Sequence, residues 1–122
     1  MKHIVFVYGT LKKGFCNHYY LRKARFLGSG RTKEKYKMTV SDIPFVSKKE
    51  KISYIYGGIY EIDEETLKNL DILEEHPSFY KREKIKVLLN NKKEIEAWIY
   101  FNEVLEGKIL IKDGIFRKKL KN

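Results

Sequence analysis

The chain has 122 residues, of which 43% are hydrophobic, and we expect one domain, residues 1–122, with a single core. Its net charge is +10, but no nucleic-acid-binding signature accompanies that charge and the aromatic residues lie mostly in apolar runs, so we attribute it to solvated lysines and expect no nucleic-acid partner. We expect a cytoplasmic protein without a membrane partner, because no segment approaches the roughly 20 apolar residues of a bilayer span, no signal peptide is recognisable, and Cys16 is the single cysteine.

The first predicted element is a buried strand over residues 4–7, which are four consecutive apolar residues of strand-favouring types. The strand ends at Gly9, and a glycine there predicts a sharp turn. A buried strand that leads into a tight loop over Tyr8–Leu11 is suited to presenting backbone N–H groups to an anion. The alternative is that Gly9 only turns the chain and Tyr8 only packs in the core.

The segment between residues 16 and 62 has mixed patterns. These predict a helical turn or ordered loop over 16–22, strand character over 25–40 with a bulge or hairpin at Gly28-Ser29-Gly30, a loop around Pro44 over 43–46, and a strand over 52–62 that bends at Gly57-Gly58.

One convincing helix follows. Asp63 is its predicted N-cap, the helix runs from Glu64 to about Glu75, and Pro77 ends it. Two strands over 84–89 and 94–101 then form a hairpin, and residues 109–111 pack on the core. Strands with internal glycines and one helix predict an α+β domain with a strongly curved sheet or small barrel.

One acidic residue of this helix falls on its apolar face. At 100° per residue a single stripe contains three leucines: Leu67, Leu70 and Leu73. Glu74 follows Leu67 by seven residues and projects within about 20° of it, whereas Glu75 points toward solvent. An ionised carboxylate on an apolar face is unfavourable unless it is paired or its pKa is raised. Glu74 is therefore either functional or structural, in the second case paired with Arg82 or a lysine, or reaching water from a frayed last turn.

Two stretches together resemble a known family. The first is Tyr8-Gly9-Thr10-Leu11-Lys12-Lys13-Gly14, followed by Asn17-His18-Tyr19-Tyr20-Leu21. The second is Gly57-Gly58-Ile59-Tyr60-Glu61-Ile62-Asp63, which leads into Leu70-Asp71-Ile72-Leu73-Glu74-Glu75-His76-Pro77 and then Tyr80-Lys81-Arg82. In order and spacing these motifs resemble the γ-glutamylcyclotransferase-like superfamily, and they are most similar to its γ-glutamylamine cyclotransferase branch.

This resemblance implies a mixed β-barrel of about five to six strands with one main helix, a short flanking helix and a cavity beside residues 8–11. It also implies an enzyme that releases 5-oxoproline and a free amine from a γ-glutamyl amine or γ-glutamyl amino acid, by attack of the substrate α-amine on the γ-carbonyl. Glu74 matches the general base of the family. The substrate-binding residues would be Tyr8, Gly9, Thr10 and Leu11. We expect a small-molecule substrate and no metal or other cofactor.

The alternative function is a binding module of the same fold that holds a small anionic, glutamate-like metabolite without turnover. Gly58 departs from the family pattern, since relatives commonly have an acidic residue there, and His76 replaces a smaller residue. The leaving amine and the oligomeric state therefore stay open. The three histidines lack the spacing of a metal site. Cys16 beside His18 is better explained as a loop cysteine next to a packed histidine than as a nucleophile and its base.

Overall fold

The apolar run at the start of the chain forms the first strand of the computed structural model, which describes residues 2–118. Eight strands, one α-helix and one 3₁₀ turn lie in that range. In chain order they are β1 (Lys2–Val7), the 3₁₀ turn (His18–Leu21), β2 (Arg25–Thr32), β3 (Lys37–Val40), β4 (Pro44–Ser47), β5 (Tyr56–Asp63), α1 (Glu64–Leu73), β6 (Lys81–Leu89), β7 (Glu94–Phe101) and β8 (Ile109–Ile111).

Five of the strands close into a barrel in the order β1-β5-β2-β6-β7. Neighbouring strands are antiparallel except for the closing pair, in which β1 runs parallel to β7 with Val5 opposite Trp98. The other three strands form a small sheet in the order β4-β3-β8. The predicted α+β fold with a small mixed barrel, one main helix and one short helical turn is confirmed.

Side chains alternate along the barrel strands between two buried clusters, as a period of two requires. One cluster includes Phe6 and Ile59, packed with buried residues of β6 and β7. The other cluster includes Val5 and Ile62, which pack with Leu70 of α1. The helix therefore covers one outer face of the barrel. This packing holds the C-terminal end of α1 beside the end of β1.

One local prediction is confirmed and two are wrong. Of the bulge or hairpin predicted at the glycines of β2, the structure has a bulge, with a register shift between Phe26 and Gly28 inside the strand. The loop predicted around Pro44 is wrong, because Pro44 begins β4. Proline is tolerated there since it is the first residue of an edge strand. The strand predicted from residue 52 begins instead at Tyr56.

The C-terminal part of the described range contains one short strand, β8. β8 pairs with β3. The packing on the core that was predicted for residues 109–111 is found only for the half-buried Ile111, because Ile109 and Leu110 are exposed. Residues 119–122 lie outside the described range. Within residues 2–118, no helix has the length and apolar character needed to cross a bilayer.

Candidate active site

The last turn of α1 places Glu74 beside the barrel. Asp63 caps the helix, because its Oδ1 accepts a hydrogen bond of 2.8 Å from the Thr66 N–H. The helix ends at Leu73, but Glu74 keeps helical angles (φ −84°, ψ −2°) as the C-cap and its N–H donates to the Leu70 carbonyl. The helical phase therefore extends through Glu74, which is why the periodicity located its side chain.

The apolar stripe of the helix faces the barrel as predicted. Leu67 and Leu70 are buried, and Leu73 and Glu74 are half-buried. Glu75 is exposed and has left the helical conformation, with φ 53°. The predicted difference in burial between these two neighbouring carboxylates is confirmed.

Glu74 lines a cavity of about 110 Å³ between the end of β1, the start of β4 and the end of α1. We call it the Glu74 cavity. Its lining residues are Phe6, Val7, Tyr8, Gly9, Thr10, Leu11, Asn17, Ile43, Pro44, Leu73, Glu74, Tyr80 and Tyr100. The structure thus brings together all five residues that the sequence singled out as candidates.

The loop that follows β1 is a tight turn with free donors. The Lys12 N–H donates to the Gly9 carbonyl at 3.0 Å and closes the turn. No backbone carbonyl in residues 2–118 accepts a hydrogen bond from the N–H groups of Gly9, Thr10 or Leu11. Amide donors of this kind at the wall of a cavity suit a carboxylate or a developing oxyanion.

Two neighbours fix the position of this loop. A Cβ atom on Gly9 would lie 2.7 Å from Cγ of Pro44, so only glycine fits without displacing the ring. The Asn17 side chain donates to Thr10 Oγ1 at 2.9 Å, and the Asn17 N–H donates to the Thr10 carbonyl at 2.9 Å. These contacts hold the loop N–H groups in place before any ligand binds.

The half-buried Glu74 carboxyl has no stabilising partner. Within the described part of the chain, no hydrogen bond or ion pair to its oxygens is formed. Burial therefore disfavours the ionised form and raises the pKa of Glu74 from 4.5 to about 7. A carboxyl group with this pKa exists in both forms near neutral pH, so it can accept a proton and return it.

Three tyrosine phenols surround the carboxyl but donate their hydrogen bonds elsewhere. Tyr8 donates to the Tyr100 carbonyl at 2.6 Å, Tyr80 to the Pro44 carbonyl at 2.7 Å, and Tyr100 to Asp71 Oδ1 at 2.7 Å. Burial raises the pKa of all three phenols above 10, and at Tyr100 the hydrogen bond to Asp71 adds to this effect. The phenols are therefore neutral at pH 7 and form part of the cavity wall.

Arg82 is the partner of Asp71 and not of Glu74. Its Nε and Nη2 donate to the two Asp71 carboxylate oxygens at 2.8 and 3.1 Å, and its guanidinium lies 4.2 Å from the Trp98 ring centre. Burial opposes ionisation of Asp71, but the bonds from Arg82 and Tyr100 outweigh it and lower the pKa of Asp71. The structural alternative that paired Glu74 with Arg82 is thereby wrong.

Sequence reasoning did not find Asn17, Tyr80 or Tyr100 as parts of this site. The alternation of β7 places Tyr100 on the face covered by α1, so its burial was predictable. Its proximity to Glu74 depends on how the helix packs on the barrel, which no local pattern records. No cluster of three or more residues able to hold a metal ion occurs in residues 2–118.

Comparison with known proteins gives one family. The family model described as gamma-glutamyl cyclotransferase, AIG2-like, matches residues 5–118. A putative gamma-glutamylcyclotransferase of Methanocaldococcus jannaschii is 53% identical over 114 residues, which are 93% of this chain and 94% of that protein. Gamma-glutamylaminecyclotransferase A of Danio rerio is 38% identical over 79% of this chain and 66% of its own length.

A solved structure has the same fold. The crystal structure of an AIG2-like protein from Mus musculus is similar with a TM-score of 0.84 and 27% identity. The similarity covers 95% of this chain and 88% of the mouse chain. The barrel, the helix and the loop after β1 therefore belong to an architecture that solved structures share.

Proposed function

Because this chain belongs to the gamma-glutamyl cyclotransferase, AIG2-like family, we propose that it converts the γ-glutamyl group of an amide substrate into 5-oxoproline and releases the amine. The family predicted from the two motifs is confirmed. The names of the relatives support an enzyme of the γ-glutamylcyclotransferase type. The substrate, the mechanism and the role of Glu74 below are proposals.

The reaction requires no external nucleophile. The α-amine of the substrate forms a bond to the γ-carbon, and the bond from that carbon to the leaving nitrogen breaks. The α-ammonium loses two protons as it becomes the ring N–H of 5-oxoproline. The leaving nitrogen gains two protons and departs as an ammonium group, so the total charge does not change. Ring closure is intramolecular, and a cavity that holds the substrate folded accelerates it through proximity.

Glu74 is the proposed carrier of these protons. The observation that supports this role is an unpartnered carboxyl with a pKa of about 7 inside the cavity. In its ionised form it takes a proton from the α-ammonium and frees the attacking lone pair. The same group then protonates the leaving nitrogen, and a pKa near neutrality makes both transfers favourable.

The loop N–H groups are the proposed donors to the substrate. Gly9, Thr10 and Leu11 line the cavity, and their N–H groups have no backbone acceptor in residues 2–118. They are suited to bind the α-carboxylate and the oxyanion that forms on the γ-carbonyl during attack. The Tyr8 phenol donates its hydrogen bond to the Tyr100 carbonyl and thereby anchors the start of the loop to β7.

Release of 5-oxoproline tests the proposal. The protein is incubated with γ-glutamyl-ε-lysine and with a panel of γ-glutamyl dipeptides, and 5-oxoproline is measured by chromatography. We expect turnover of at least one substrate. Saturable binding of 5-oxoproline by well-folded protein, without turnover across the panel, would instead support the non-catalytic binding module.

A further inference from the structure

A second and larger concavity lies between the loop after β1 and the outer face of β2 and β5. Its volume is about 880 Å³, within the range of small-molecule sites. It shares no lining residue with the Glu74 cavity. We call it the basic groove, and its lining includes Lys12, Lys13, Arg22, Phe26, Tyr56 and Gly58.

The charge of this groove has one sign. Its lining includes three cationic side chains, Lys12, Lys13 and Arg22, and no aspartate or glutamate. None of the three cations forms an ion pair with a carboxylate in the described range. The Lys12 ammonium donates to the Phe116 carbonyl at 2.7 Å, which fixes one positive charge at the rim. The groove therefore favours an anion on its loop side.

The sheet side of the groove presents aromatic rings. Phe26 is 55% exposed and Tyr56 is 41% exposed. The Phe26 ring lies 5.1 Å from the ring of Tyr60, which supports it from one side. A large exposed ring in a concave surface indicates a surface that a ligand covers.

Gly58 keeps the floor of the groove open. A Cβ atom at this position would lie 3.0 Å from Cε1 of Tyr60 and 3.6 Å from Cε1 of Phe26. Any side chain at residue 58 would therefore occupy the space in front of the two rings. An acidic residue there would also place a negative charge in the groove. With glycine, the floor is flat and without charge.

We propose that the basic groove binds a mononucleotide. The phosphate contacts Lys13 and Arg22 on the loop side, and the base stacks on Phe26 on the sheet side. Ser29 and Asn90, also in the lining, supply polar groups for the edge of the base. Phosphate neutralisation by Lys and Arg combined with stacking on an aromatic ring is the general chemistry of nucleotide binding.

Calorimetric titration separates the two parts of such a ligand. The probes are adenosine monophosphate, inorganic phosphate and adenosine. We expect the monophosphate to bind saturably and at least about fivefold more tightly than either fragment. Inorganic phosphate lacks the base-to-ring stacking contact, which has at least that effect, and adenosine lacks the phosphate that contacts Lys13 and Arg22. Absence of saturable monophosphate binding, or equal binding of inorganic phosphate, would overturn the proposal.

Matched variants locate the site. Phe26→Ser and the double variant Lys13→Gln/Arg22→Gln should each weaken monophosphate binding at least about fivefold. Ile72→Ser and Lys68→Gln remove an exposed apolar residue and an exposed charge from α1, outside the groove, and should leave it unchanged. Equal affinity in all variants, or displacement of the monophosphate by 5-oxoproline, would exclude the basic groove as its site.

Discussion

Glu74 and Glu75 are consecutive residues whose carboxylates lie in opposite surroundings. Glu74 continues the helical conformation and faces the cavity, whereas Glu75 adopts φ 53° and is exposed to solvent. Burial raises the pKa of Glu74 to about 7. The two positions therefore form a natural pair for experiments, since the same chemical group is present in both and only its surroundings differ.

The pH dependence of turnover should contain the ionisation of Glu74. If its carboxylate is the base, kcat/KM falls as pH decreases through about 7, because the free enzyme becomes protonated at Glu74. A bound substrate ammonium favours the ionised carboxylate, so the same limb in kcat lies at lower pH. Initial rates measured between pH 5 and pH 9 provide both profiles.

Glu75→Gln is the control for this profile, because it removes the same chemical group from an exposed position outside the Glu74 cavity. The limb near pH 7 should persist in this variant. A limb that disappears with Glu75→Gln and persists with Glu74→Gln would contradict the assignment.

Arg82→Gln should destabilise the fold by about 1–3 kcal/mol, because it removes both guanidinium hydrogen bonds to the half-buried Asp71 carboxylate. Lys81→Gln, at the exposed neighbouring position, is the matched control and should change little. Urea denaturation at pH 7 measures both.

The Asp71–Arg82 ion pair should also change how the free energy of unfolding depends on pH in acid. The pKa of Asp71 is lowered in the folded protein, so its stabilising contribution is present above the unfolded value near 3.9 and is lost as pH falls through the folded value. The stability difference between the wild type and Arg82→Gln should therefore narrow below about pH 4. A constant difference would mean that the ion pair is not its cause.

The fold was predictable where local pattern determines it. The apolar run of β1, the capped helix and the β6–β7 hairpin are each visible in consecutive residues. β4 was not predicted, because its proline indicates a loop. The proline is acceptable because β4 pairs with β3 at the edge of the small sheet. The local sequence records neither the pairing nor the edge position.

Part of the site was also predictable from the sequence, and part depends on packing between distant elements. Helical periodicity separated Glu74 from Glu75, and the resemblance to the family gave the Tyr8–Leu11 loop. Tyr80 and Tyr100 come from other elements and join the cavity only through packing. The pairing of Arg82 with Asp71 depends on the distance between the start of β6 and the side of α1, so the sequence left Arg82 open as a partner of Glu74.

Gly9→Ala should impair the loop without unfolding the barrel. The added Cβ would lie 2.7 Å from Cγ of Pro44, and the rigid ring cannot give way, so the loop must shift. We expect KM to rise and kcat/KM to fall by about tenfold or more, because misplacement of donors by about 1 Å is costly. The added variant Pro44→Ala removes the opposing ring atoms and should restore part of the loss. If the effects of the two substitutions on kcat/KM are additive, the contact between residue 9 and the Pro44 ring is not the cause of the lost activity.

Glu74→Gln keeps the shape of the side chain but cannot accept the ammonium proton, so turnover should fall by about 10²–10⁴-fold while 5-oxoproline still binds to the intact loop. Its stability should rise at neutral pH. In the folded protein the pKa of Glu74 is raised from 4.5 to about 7. The wild type therefore loses stability as pH increases from about 4.5 through about 7, and glutamine removes that loss.

Glu75→Gln should match the wild type in both assays. Should Glu74→Gln instead melt at lower temperature and lose activity only in proportion, the carboxyl is structural. An inactive Glu75→Gln beside an active Glu74→Gln would reverse the assignment.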